Sequence, residues 1–159
     1  MKKSLLFVVI LIAAAQIAFA RHKKVIAKND LISVTMHRTA CFGRCPDYEV
    51  KVNRDGLVTY MGYMFVKDSG TYEKNIGAYA VKQTLVMCKT YRVDTCQDVY
   101  NNMVPDLPGL YITLQYKSVT KKIINASFGP GFLREIANSM DALSKVDKTW
   151  EHVTVNKTK

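Results

Sequence analysis

The chain has 159 residues, 48% of them hydrophobic, with 23 lysines and arginines against 13 acids and a formal net charge of +10. That length suits one domain able to bury roughly two-thirds of its unfolded surface, and 8 glycines with 4 prolines exclude a collagenous or low-complexity chain. A basic balance points to polyanions where the charge clusters, but Lys51, Lys67, Lys82, Lys89, Lys117 and Lys145 scatter over different segments, so nucleic acid is not an expected partner.

Lys2 and Lys3, an apolar run over residues 5–15 and the small-x-small triplet Ala18-Phe19-Ala20 have the layout of a secretory signal peptide cleaved after Ala20. The run is short of the roughly 20 residues a membrane span needs, so no span is expected after cleavage, and the expected location is periplasmic or secreted. Arg21, His22, Lys23 and Lys24 follow at once; early positive charge opposes translocation, which keeps an uncleaved anchor as the lesser reading. The first cysteine is Cys41, far beyond the cleavage site, so no lipoprotein acylation cysteine is expected. Residues 21–30 are polar and aperiodic and read as a basic, flexible arm.

Alternation of period two starts at residue 31. Ile32, Val34 and Met36 point one way, Ser33, Thr35 and His37 the other. After a loop holding Cys41 and Cys45, Tyr48, Val50 and Val52 alternate with Glu49, Lys51 and Asn53. Asp55-Gly56 marks a hairpin turn whose two central residues are expected at positive φ. The return strand covers residues 57–64, where Gly62 marks a bulge or a close backbone approach. A turn at Ser69-Gly70 leads to a fourth strand over 71–76. Ala78, Val81, Leu85 and Cys88 then recur at helical spacing, and this helix is expected to end near Tyr91-Arg92. Asp106-Leu107-Pro108-Gly109 is a turn sequence. A second hairpin follows over 110–116 and 119–125, then a helix striped by Leu133, Ile136, Met140 and Leu143. The expectation is a single α+β domain over 31–146, an antiparallel sheet in order ββββ-α-ββ-α with two helices packed on one face. Residues 147–159 read as a polar C-terminal tail pinned by Trp150.

An exported chain meets an oxidising compartment, so 4 cysteines are read first as disulfides. Spacing selects Cys41 with Cys45 and Cys88 with Cys96 from the three pairings. The alternative is a thiol-disulfide redox role for Cys41 and Cys45 beside Arg38 and Arg44. Redox dithiols typically have two intervening residues at a helix N-terminus; here three intervene between strands, which favours a staple. Zinc wants four ligands, and His37 with Cys41 and Cys45 supplies three, so no metal is expected.

The stretch Thr39-Ala40-Cys41-Phe42-Gly43-Arg44-Cys45-Pro46-Asp47-Tyr48 resembles the signature of an uncharacterised bacterial family of exported domains, domain of unknown function 6438. Its motif positions here are Thr39, Phe42, Gly43, Pro46 and Asp106, with further matches in order at Asp55-Gly56, Gly62 to Val66, Gly70, Leu107-Pro108 and Phe128-Gly129. The resemblance covers most of the chain beyond the export segment. It implies an exported, often lipid-anchored domain and carries over no catalytic residue; this chain departs in lacking a lipidation cysteine and in holding Cys88 and Cys96.

No Ser-x-x-Lys, Gly-x-Ser-x-Gly, His-Glu-x-x-His or phosphate-cradling glycine loop occurs, so no enzymatic activity and no cofactor are expected. Asp47 and Glu49 read as part of a solvated strand face with Lys51. Tyr60, Tyr63, Phe65, Tyr72, Tyr111 and Tyr116 lie on or beside strands, and alternation sends about half of them away from the helices. Tyr60, Tyr63, Phe65, Tyr72 and Tyr111 form a candidate surface for a protein, peptide or glycan of the cell envelope; the alternative is that these rings fill the core and bridge strands. A weaker idea is polyanion binding by residues 21–28. The oligomeric state is left open.

Overall fold

A computed structural model describes residues 31–101 and 106–154; the expected signal peptide and basic arm lie outside the described residues. In chain order the elements are β1 (Leu31–Arg38), β2 (Asp47–Asn53), β3 (Leu57–Met64), β4 (Gly70–Asn75), α1 (Ala78–Thr90), β5 (Leu110–Tyr116), β6 (Thr120–Ile123), α2 (Gly131–Leu143) and β7 (Glu151–Val153). The strands form one seven-stranded antiparallel sheet in the order β6-β5-β1-β2-β3-β4-β7. The α+β class stands, and the element order gains one strand. β7 comes from the stretch read as a polar tail, and its three residues pair with Thr71, Tyr72 and Glu73 of β4. Three residues are too few to show alternation, so only the partner edge reveals them as a strand. Trp150, just ahead of β7, is buried in the core as expected.

The core lies on one sheet face. Val34 and Met36 of β1, Val50 and Val52 of β2, Val58 and Tyr60 of β3, and Ile112 and Leu114 of β5 are buried there. Leu133, Ile136, Ala137 and Met140 of α2, with Val81 and Cys88 of α1, complete it. The buried stripe of α1 also contains Thr84, a polar position the spacing argument passed over. Its hydroxyl lies 3.0 Å from that of Ser139 on α2, so the two helices are joined by a satisfied polar contact.

Two local expectations change. A register shift between Leu31 and Ser33 in the β1–β5 pairing brings Leu31 into the core while Ile32 stays half-buried, so the alternation of β1 starts at Val34. At the β2–β3 turn only Gly56 has positive φ, at 101°. Its amide donates to the Asn53 carbonyl at 3.1 Å, and the Leu57 amide donates to the Asp55 carboxylate at 3.2 Å. One left-handed glycine closing a turn is the bulged alternative to a two-residue hairpin. Gly62 is a close approach: a Cβ there would lie 2.1 Å from the Asp68 carbonyl oxygen.

Among the described residues no helix is long and apolar enough to cross a membrane. The expected Cys88–Cys96 disulfide is not formed; both are free thiols, Cys88 buried and Cys96 half-buried. Cys88 lies on the inward stripe of α1 with Val81 and Thr84, and Cys96 follows the short 3-10 turn Val93–Thr95. Closeness in sequence says nothing about the direction of the side chains.

Two predictions follow from this core. Trp150→Ala is expected to destabilise the protein by about 3 kcal/mol in urea unfolding and to speed amide exchange in β4, whose edge β7 covers; an unchanged β4 would mean the ring does not hold that strand. Burial pushes the Cys88 thiol from 9.0 up to about 12, and burial with Asp94 and Cys88 nearby pushes the Tyr116 phenol from 10.0 to about 12. The unfolded chain releases these protons first, so stability is complete below pH 9 and falls as pH rises from about 9 towards 12. Urea midpoints across that range should decline, and the decline should be shallower in Cys88→Ala.

Candidate functional site

The β1–β2 connection, the β3–β4 connection and the approach to β5 all lie at one end of the sheet, because Arg38 pairs with both Tyr48 and Leu110, and Asp47 pairs with Met64. Cys41 and Cys45 are disulfide-bonded with Cα atoms 5.4 Å apart. Phe42, at the tip of that loop, is 91% exposed. The loop is anchored beside the bridge: the Thr39 amide donates to the Gly109 carbonyl at 3.0 Å, and the Gly109 amide donates to Thr39 Oγ1 at 2.9 Å. A side chain at 109 would meet that hydroxyl, with Cβ 2.7 Å from Oγ1. Thus Thr39 meets the segment that also holds Asp106, which has positive φ (64°). Gly43 donates its amide to Cys41 Sγ at 3.3 Å, and Pro46 is exposed.

From this end, alternation sends successive residues to opposite faces. On the helix side, Arg38 and Tyr48 converge on Asp141 of α2. Arg38 Nη2 donates to Asp141 Oδ2 at 2.6 Å and Nε donates to the same oxygen at 3.1 Å. Tyr48 Oη donates to Asp141 Oδ1 at 2.6 Å, and Arg38 Nη2 also donates to Asn138 Oδ1 at 3.2 Å. Burial and the Asp141 carboxylate hold the Tyr48 phenol well above its ordinary range, so it stays a donor. In the sequence Arg38 stands out only as a neighbour of Cys41 and Cys45; its partner Asp141 stands 103 positions away.

On the open face, His37 is the hub. Its Nε2 lies 2.9 Å from Asp47 Oδ1. The rings of Tyr63 and Tyr111 stand edge-on to it, with centroids at 5.6 and 5.9 Å. Lys122 Nζ lies 5.5 Å from the Tyr111 ring centroid, within cation–π range. His37, Tyr111 and Lys122, with Thr35, Thr113 and Glu49, line a shallow depression of about 70 Å³. Partial burial, then Glu49 and Asp47, raise the Tyr63 phenol. Tyr63 is 53% exposed.

The expected aromatic surface therefore divides. Tyr63 and Tyr111 lie together on the open face, and Phe65 sits just past β3 with φ 55° and about half its surface exposed. Tyr60 is buried and Tyr72, half-buried, packs against the core beside it; these two are corrected from the candidate surface to the core side, where Tyr116 is buried as well. His37 and Lys122 were not singled out for this face, whereas Asp47 was read with Glu49 as part of a solvated strand face. The β1–β2 register would have found His37, which opposes Glu49 two positions from Asp47. Among the described residues no group of three His, Cys, Asp or Glu side chains is placed to hold a metal ion.

The disulfide and the Thr39–Gly109 clasp act on the same loop, so the Cys41→Ser, Cys45→Ser double variant is expected to lose about 2 kcal/mol, the loop-entropy value for so short a ring. Urea unfolding measures the loss. Unchanged stability together with rapid exchange onto a partner disulfide would turn the bridge into a redox couple.

No curated protein matches this chain. Residues 32–144, from the second position of β1 to just past α2, match the family described as Domain of unknown function (DUF6438). The match contains the cysteine loop, both sheet faces at its end and Asp141, and the chain belongs to that family.

Proposed function

We propose that this protein is an exported, non-enzymatic binding module of the cell envelope, and that it lays an extended glycan across the open sheet face. The observation that carries the reading is the cluster around His37: Tyr63 and Tyr111 flanked by Asp47, Glu49 and Lys122 on a face that no described helix packs against. Exposed aromatic rings set among hydrogen-bonding groups suit sugars, whose C–H faces lie on rings while hydroxyls take donors and acceptors at the rim. The depression of about 70 Å³ is too small to enclose a ligand, which favours a polymer resting on the surface over a small molecule taken inside. The disulfide keeps the adjoining loop in place, as an oxidising compartment allows.

The test is binding of the purified protein to chitooligosaccharides and to soluble fragments of peptidoglycan, followed by amide chemical shifts. Saturable shifts in β1, β3 and β5 around His37, Tyr63 and Tyr111 are expected, with Tyr63→Ala weakening affinity roughly fivefold, the worth of one aromatic platform. Capture of an envelope protein that depends on Tyr63, with no response to either glycan, would replace the glycan by a protein partner.

A further inference from the structure

A separate surface lies on the outer side of α1, turned away from the sheet. The inner side of the helix carries Val81, Thr84 and Cys88 into the core. The outer side presents Tyr79, 89% exposed, and two turns on Val86, 46% exposed. Lys82 and Gln83 stand between them and Lys89 beyond, all exposed. Spacings of three, four and seven residues place these side chains in one stripe along the helix. Tyr79, Ala80, Lys82, Gln83 and Val86 line a shallow groove of about 380 Å³ on it. α1 thus carries apolar side chains on both sides, although a single apolar side would seat it on the core.

Two observations identify what this stripe meets. The first is charge. α1 contains two lysines and no acid, and neither ammonium group has a partner among the described residues. The acids beyond its C-terminal end are engaged: Asp94 pairs with Arg92, and Glu135 of α2 accepts from the Tyr91 hydroxyl at 3.4 Å. The second is where the basic stretch ahead of β1 joins the domain. Arg21, Lys23, Lys24 and Lys28 lead into β1 at Leu31. The Arg54 amide donates to the Ile32 carbonyl at 2.9 Å, and the Ile76 amide donates to the Gly56 carbonyl at 3.0 Å. Gly56 lies so close to Gly77 that a Cβ on it would stand 2.3 Å from the Gly77 carbonyl carbon. β1 therefore begins at the end of the molecule where α1 begins and Tyr79 stands. Residues 21–30 reach at most roughly 35 Å, further than the ~20 Å that α1 spans, so their cations can meet the same surface as the helix.

A soluble polyanion would pair with the lysines but leave Tyr79 and Val86 in water. A folded protein partner needs roughly 800 Å² from each side, more than one stripe of a 13-residue helix offers. An anionic bilayer supplies both kinds of contact, with phosphates at its surface and acyl chains just beneath. Lysine stems lie along apolar surface while their heads reach the phosphates, and tyrosine favours the depth of the headgroups. We propose that α1 lies flat on an anionic lipid surface, with Tyr79 and Val86 at headgroup depth, Lys82 and Lys89 against phosphates, and the cations of residues 21–28 on the same surface. α1 packs on the side of the sheet opposite His37, so the open face points away from the lipid. The inference does not rest on the glycan reading, since His37, Tyr63 and Tyr111 take no part in it.

The test places the purified full-length protein with bicelles of phosphatidylcholine and phosphatidylglycerol, doped with a lipid that carries gadolinium on its headgroup. Amide signals of Tyr79, Lys82, Gln83, Val86 and Lys89 are expected to broaden, and those of His37 and Tyr111 to stay sharp. Vesicle partitioning supplies a second readout. It is the ratio of binding to phosphatidylglycerol-containing vesicles over pure phosphatidylcholine vesicles, in which any contribution of the apolar run over residues 5–15 cancels. Lys82→Gln combined with Lys89→Gln should lower that ratio roughly twentyfold, the effect of two cations at the surface. The melting temperature should hold, because both side chains are exposed. Tyr79→Ser should weaken partitioning into both vesicle types and leave the ratio unchanged. Absence of broadening along α1 would overturn the proposal. So would an unchanged ratio in the double lysine variant, which would leave residues 21–28 as the sole contact. Shifts at Lys82 and Lys89 with heparin, without any response to lipid, would replace the bilayer by a soluble polyanion and overturn it equally.

Discussion

β1 is held antiparallel between β2 and β5, and the functional end of the molecule depends on that double register. Arg38 opposes Tyr48 on one side and Leu110 on the other, while His37 opposes Glu49 and Tyr111. Because side chains alternate with a period of two, a slip of one residue would exchange the faces. It would send His37 towards the helices and Arg38 into solvent. Thr39 stands next in the chain, and its paired bonds to Gly109 lock the register where the strand ends. The Cys41–Cys45 bridge then shortens the connection that follows.

The two faces at this end have different chemistry for the same reason. On the helix side, Asp141 gathers Arg38 and Tyr48, and the helix is thereby tied to the central strands. These are charge-assisted hydrogen bonds in a half-buried setting, stronger than exposed pairs of the same kind. On the open side, His37 and Asp47 pair with rings around them and solvent beyond. One pair of neighbouring residues, His37 and Arg38, thus belongs to two separate surfaces. The cysteine loop lies at the boundary of both, and its residues serve geometry: Thr39 clasps Gly109, and Gly43 bonds back to Cys41. Phe42 is the exception, presented to solvent at the tip of the loop.

Much of the architecture was legible because its signals are local. Alternation marked six strands and helical spacing marked two helices, each from residues only a few positions apart. The Cys41–Cys45 bridge was legible for the same reason, as a short ring between two strand patterns. What failed were inferences that needed a partner element. β7 exists because β4 has an edge to offer. Cys88 stays a thiol because its helix turns it towards the core. Tyr60 went to the core and Tyr72 packs against it, while Tyr63 and Tyr111 did not, a division that follows from strand parity once the covered face is known.

By itself the sequence determined the α+β class, the order of the elements up to α2, the Cys41–Cys45 staple and the family. All of these rest on spacings within a single element or a single turn. Only the tertiary structure decided which aromatic residues share a face, that Asp141 completes Arg38, and that Ser127 meets Pro46 and Pro108 around one cavity. Those contacts join residues separated by tens of positions. Their energies depend on the direction in which each side chain points, and that direction is set by register and helix rotation after the sheet has formed.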